Sequence, residues 1–268
     1  MKSVIGLLAA GLCSCAIGEM SFRSGEGWQP FANAKDIEAG SALDFSGMGL
    51  VDVPAGKFGW LWAANGHAEF EGRPGVPVRF WGVNICSDAN FLEPDEIERL
   101  TDRLVRLGYN AVRIHHHDDS WWKDEKNRDL FDRLVAACVK KGLYLTTDLH
   151  VSRKVKYREI GLDREGDADF VIVKNFMQFY EPAFENWKRF AREFLTRKNP
   201  YTGRSLANEP AMPLIVLLNE PSAHSPKNWA RLREEPLYRG QWRLWLTELR
   251  KRQPGAYPKE DPECIPEE

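Results

Sequence analysis

The chain has 268 residues, 43% of them apolar and 28% charged, with a formal net charge of −2. That length carries one large core or two small ones, and the near-neutral balance gives no electrostatic ground for a nucleic-acid or anionic-membrane partner. The five cysteines show no metal-type spacing, and two of them fall within the first 18 residues.

Residues 1–18 read as a secretory signal peptide. Lys2 supplies the positive start, Val4–Leu12 a short apolar segment, and Ala16-Ile17-Gly18 the small residues of a cleavage site. The segment is too short and too glycine-rich to span a membrane. Leu12-Cys-Ser-Cys15 offers lipid attachment at Cys15 as a variant of the same route. Either way the expected location is secreted or periplasmic. Cleavage leaves Cys86, Cys138 and Cys264, an odd number that argues for free thiols over a disulfide framework.

Residues 19–78 form an irregular leader and a β-hairpin. Gly59-Trp-Leu-Trp62 and His67-Ala-Glu-Phe70 flank Asn65-Gly66, the signature of a tight hairpin turn. Arg79-Phe-Trp-Gly-Val-Asn84 is the predicted first strand of a main domain over residues 79–252. A helix follows over Glu93–Leu107, with Ile97, Leu100, Leu104 and Leu107 on one face and Gly108 as its stop. Tyr109–Ile114 is the second strand, Asn127–Lys141 the second helix, Leu143–Leu149 the third strand. Residues 151–180 form a charged loop too long for a bare connector, and so a candidate site wall. Glu181–Arg197 is the third helix, Pro213–Leu218 the fourth strand, Tyr238–Arg252 the fourth helix. Residues 253–268 are rich in Pro and Glu and read as a disordered tail.

Strict strand–helix alternation implies a parallel sheet. The fold class is α/β, an incomplete (β/α)8 TIM barrel of about four βα units preceded by the hairpin, which is placed to close the barrel bottom. A complete barrel takes roughly 250 residues, and 190 remain from Arg79 onward. The chain therefore reads as truncated. An open half-barrel leaves its outer strands unpaired, so self-association or a partner chain is expected to complete it.

Asn219-Glu220-Pro221 directly follows the apolar run Pro213-Leu-Ile-Val-Leu-Leu218. It sets a carboxylic acid at the C-terminal tip of a buried strand, where barrels of this kind carry their catalytic groups. A second Asn-Glu-Pro, at Asn208-Glu209-Pro210, precedes the run and belongs to the opposite, structural end.

Four motifs in order then resemble one family. Arg79-Phe-Trp-Gly-Val-Asn84, Gly108-Tyr-Asn-Ala-Val-Arg-Ile114, Leu145-Thr-Thr-Asp-Leu-His150 and Leu218-Asn-Glu-Pro221 look like the first four strands of the cellulase-like family 5 glycoside hydrolases. Asn199-Pro-Tyr-Thr-Gly203 with Asn208-Glu-Pro-Ala211 is similar to the bacterial branch. The resemblance covers roughly residues 40–250 and implies retaining hydrolysis of β-linked glycans without metal or organic cofactor. Carried over, Glu220 matches the general acid/base, Asn219 the residue bonding the sugar 2-hydroxyl, Arg113 the arginine supporting the nucleophile, and His150 the active-site histidine. The family's nucleophile is a second Glu on its seventh strand. The acids after Glu220 follow no apolar strand here, and the nucleophile stays unassigned.

The double displacement needs two carboxyl groups about 5–5.5 Å apart, so Glu220 is half of the required pair. His115 and His116 fall where the family builds its substrate cleft and are assigned to sugar hydrogen bonding, with Asn84 and Asp88 as further lining. Trp121 and Trp122 offer a ring for sugar stacking, with core packing as the competing use. Two rival functions stand beside hydrolysis. One is a non-catalytic carbohydrate-binding remnant keeping Trp121, Trp122 and His150. The other is a metal-dependent hydrolase built on His115, His117 and Asp118, since strand alternation sets His115 and His117 on the side of Arg113 with His116 opposite. The expected partner is an oligo- or polysaccharide.

Overall fold

The computed structural model describes residues 36–266 except 224, 258 and 264, together with 25 and 27. Every described element belongs to the unit Asp36–Glu268. The predicted signal peptide lies outside the described residues. Among those residues no helix is long and apolar enough to cross a membrane.

β1 (Leu61–Ala64) and β2 (His67–Phe70) form the expected hairpin, pairing Leu61 with Phe70 and Ala64 with His67. Asn65 and Gly66 take φ of 53° and 79°, as a two-residue I′ turn requires. Phe70 stacks on Tyr144 at 4.8 Å between ring centroids, and the two are buried with Ala55 and Ala211. The hairpin thus packs under the N-terminal ends of the main strands.

Those strands alternate with helices: β3 (Gly82–Cys86), α1 (Pro94–Arg106), β4 (Ala111–His115), α2 (Asp118–Lys123), α3 (Glu125–Lys141), β5 (Tyr144–Asp148), α4 (Phe170–Phe176), α5 (Glu181–Thr196), β6 (Leu214–Val216), α6 (Pro226–Leu232) and α7 (Pro236–Arg252). The sheet runs β3-β4-β5-β6 and is parallel throughout. Local sequence explains the boundaries. Pro94 opens α1, where a missing N–H costs nothing. Asp124 caps α3 by accepting the N–H of Lys126 at 2.9 Å. Gly142 ends α3 at φ 86°; a Cβ there would sit 3.0 Å from Asp52 O and Val51 Cβ, so the leader crosses too close for any side chain.

Alternation along each strand gives the sheet two faces. Val112, Ile114 and Leu145 point into the main core with Ile97 and Leu104 of α1, Phe131 and Leu134 of α3, and Phe190 and Phe194 of α5. Asn84, Arg113, Thr146 and Leu214, partners in one row of the register, line the other face. Helices leave that face open, and Asn84, Cys86 and Leu214 are exposed on it.

Two expectations change. Residues 151–180 are no loop: α4 and a 3-10 turn at Tyr157–Ile160 build a second core in which Val155, Ile160, Ile172, Val173 and Phe176 pack with Leu232 of α6. The residues after Gln253, read as a disordered tail, carry specific contacts. Ile265 is buried, Trp229 donates its ring N–H to Pro266 O, and Arg243 pairs with Glu263. Cys138 is a buried thiol and Cys86 an exposed one.

Candidate active site

The C-terminal strand ends hold a cluster centred on Asp148, the last residue of β5. Its side chain is fully enclosed and accepts from Arg113 Nη2 at 2.7 Å and from His115 Nδ1 at 2.8 Å. Arg113, two residues before the end of β4, also donates to Asn219 Oδ1 at 3.0 Å. Asn219 is fixed a second way, its N–H bonding His150 O at 3.0 Å. Asn90 reaches back to His115 O at 2.7 Å. Three strands are therefore tied at one rim by a single buried carboxylate and one guanidinium.

Glu220 follows Asn219 and is exposed, with φ 48°. A positive φ is rare for a residue with a long side chain, and such strain concentrates at functional sites. His116 (φ 53°) and Ser87 (φ 53°) share it, each one residue past a parallel strand. Buried Lys174 of α4 shares this end of the sheet. Burial lowers its ammonium below the usual lysine range, against the pull of Glu220, then Asp118 and Asp148.

The other candidates part company. His116 stays at the surface, its Nδ1 3.0 Å from Ser152 Oγ. β4 ends at His115, and the turn at His116 breaks the expected alternation. His117 consequently enters the core on the helix side, 2.7 Å from Thr147 Oγ1 and stacked on Phe194 at 5.0 Å. Burial drives its pKa down to about 4. His150, expected at the substrate, is fully enclosed, and neither ring nitrogen meets a partner among the described residues. Burial takes it likewise to about 4, with Asp118 opposing. Asp118 accepts from the N–H groups of Val151, Ser152 and Arg153 at 2.9, 3.0 and 2.7 Å, so it pins the loop after β5. Burial works to raise its carboxyl, yet those donors and the two histidines leave it below the usual range.

The proposed metal set is not assembled. His115 turns to Asp148, His117 to the core and Asp118 to backbone, and no trio of His, Cys, Asp or Glu among the described residues is placed to hold an ion.

Trp121 shows no open ring face, and Trp122 is only partly exposed. Trp121 is 1% exposed, edge-on to Phe194 at 4.9 Å, with Arg128 4.7 Å above its ring. Trp122, half-buried, packs on Phe190 at 5.5 Å with Arg153 5.5 Å over it. Trp121→Ala is therefore expected to cost about 3–5 kcal/mol of stability in urea unfolding. A loss of glycan affinity at unchanged stability would reverse that assignment.

Asp148 is the residue that sequence reading missed. Its signal was present: a carboxylate closing an apolar strand, in the row next to Arg113. The second Asn-Glu-Pro lies ahead of β6, where Glu209 is buried five residues before the strand and 3.7 Å from Arg204. A cavity of about 740 Å³ lies there too, lined by Gly56, Ile97, Arg133, Tyr201 and Glu209, and touches none of the strand-end cluster.

This arrangement defines an α/β protein with a polar cluster at the C-terminal rim of a parallel sheet. No protein-family model matches the chain, and no curated protein matches it. Solved structures are similar to it over part of its length. An endo-1,4-β-mannanase from Rhizomucor miehei shares 13% identity over 71% of this chain and 58% of its own, with TM-score 0.45. An endo-β-1,4-mannanase from Thermotoga petrophila shares 16% over 65% and 41%, with TM-score 0.41. A glycoside hydrolase family 5 mannosidase from Rhizomucor miehei shares 14% over 68% and 52%, with TM-score 0.47. The chain spans about half the length of these proteins.

Proposed function

We propose that this chain is part of a (β/α)8 glycosidase and carries the proton-donor side of a site that hydrolyses β-linked glycans with retention. The observation that carries the reading is Arg113 reaching from β4 to both Asp148 and Asn219, which fixes the residue beside Glu220 at the C-terminal end of a parallel sheet, the end where barrels of this kind carry catalytic groups. Four motifs in family order support it from the sequence. In this reading Glu220 protonates the leaving oxygen, and Asn219 meets the hydroxyl next to the reacting carbon. Asp148 does not serve as the second carboxyl, being enclosed and held by Arg113 and His115. Among the described later acids, Glu234 pairs with Arg239, Glu235 with Arg164, Glu248 with Lys251 and Glu263 with Arg243.

Glu220→Gln tests this against β-glucan, β-mannan and xylan. Removing a positioned acid is expected to lower the rate at least about a hundredfold, with glycan binding retained. Turnover that is unchanged in the variant ends the proposal. Binding without turnover in both proteins transfers the site to the carbohydrate-binding reading.

A further inference from the structure

The cavity of about 740 Å³ beside Glu209 takes no part in the strand-end cluster. It is lined by α1 and α3, the helices that link β3 to β4 and β4 to β5, with residues 54–57 of the leader and 201–209 ahead of β6 as its other walls. Buried Ala55, Ile97 and Ala137 give it an apolar part. Four cations border it, Lys57, Arg133, Lys140 and Arg204, against two carboxylates, Glu98 and Glu209. Their pairing is incomplete. Arg133 is bonded to Asp129 and Glu98 to Lys141, each at 2.8 Å. Lys57 stands 3.9 Å from Asp52 and Arg204 3.7 Å from Glu209, both beyond hydrogen-bond reach. Lys140 meets no carboxylate among the described residues. Glu209 is the complement. It is 2% exposed, and among the described residues its carboxylate accepts one hydrogen bond, from the Ala211 N–H at 3.2 Å. Two carboxylate oxygens can accept several, so this one has room for further donors.

We infer that this cavity binds a small hydroxylated anion, a sugar phosphate or a sugar acid. The anionic group answers Lys140 and Arg204, whose charges no carboxylate of the described chain holds in a hydrogen bond. Hydroxyl groups of the same molecule donate to Glu209, and its carbon skeleton lies on Ala55, Ile97 and Ala137. A neutral sugar would leave the cations unanswered. A bare inorganic anion would bring its charge toward that of Glu209 with little to donate in return. Both outer strands of the sheet, β3 and β6, continue past this place, because α1 and α3 connect strands within the row β3-β4-β5. The site is separate from Glu220, so it stands or falls without the glycosidase reading.

Isothermal titration of the full chain with glucose 6-phosphate, glucuronate, glucose and inorganic phosphate tests the inference without reference to activity. At least one of the two sugar anions should bind, more weakly as salt is raised, and the one that binds names the anionic group. Glucose should not bind. Lys140→Ala and Arg204→Ala each change an exposed side chain and should leave the urea midpoint unmoved. Each should weaken the sugar anion at least about tenfold, the low end for losing a hydrogen bond to a charged group. Three results overturn the inference: neither sugar anion binds, glucose or inorganic phosphate binds as tightly as the sugar anion, or both substitutions leave binding untouched. Turnover that depends on Glu220 should be the same in Lys140→Ala, so the failure of one reading leaves the other standing.

Discussion

Asp148→Ala is expected to destabilise the folded chain by about 3 kcal/mol, the low end for breaking a buried ion pair, because Arg113 is one-third exposed and recovers some solvation. The variant strands two donors at once, since Arg113 Nη2 and His115 Nδ1 both end on this carboxylate. Asp148→Asn keeps one acceptor oxygen and loses the charge, so its cost is about 1.5–3 kcal/mol. The order of the two variants separates lost charge from lost packing. Urea midpoints at pH 7 read both, and a change below about 0.5 kcal/mol in the alanine variant, typical of an unremarkable surface position, would remove Asp148 from the centre of the site. On the proposed glycosidase reading, the same variant should also lower turnover by loosening Asn219, which Arg113 holds at 3.0 Å.

Most of the scaffold was legible because the signals were local. Apolar spacing with Pro94 and Gly142 at the ends marked α1 and α3, and Asn65-Gly66 marked the hairpin. α4 escaped because Phe-Val-Ile-Val at 170–173 has no amphipathic stripe. It is buried on nearly all sides by the second core, and a helix enclosed that way reads like a strand. Its cap was visible nonetheless, Asp169 accepting from Val171 N at 2.9 Å. α2 and α6 are too short to show a period.

The site was half legible for a related reason. Residues inside a strand obey alternation, so Arg113 landed where expected. Residues past the strand end follow whatever turn the tertiary structure imposes. One positive φ at His116 exchanged the fates of its neighbours, sending His117 inward, and the turn after Asp148 buried His150. Tryptophans beside a predicted cleft carry no direction in the sequence, and here α3 and α5 claimed both.

That inward turn has a thermodynamic price at acid pH, which is the second large effect expected. His117 and His150 titrate near 6.5 in the unfolded chain and near about 4 in the fold. Between those values the unfolded state holds more protons, so stability is complete above pH 6.5 and falls as pH drops toward 4. A gap of that size corresponds to about 3 kcal/mol for one ring, a large share of the stability of an ordinary domain. Asp118, facing both rings, is held below the usual carboxylate range, so its own protonation comes later and acts in the same direction. Urea midpoints should therefore decline steadily from pH 7 to 4, and His117→Leu, lying between Phe131 and Phe194, should remove about half of that slope even if it lowers stability at pH 7. A level profile across that interval would mean that the rings are charged in the fold, and that the loop after β5 is open to water where the structure shows it closed.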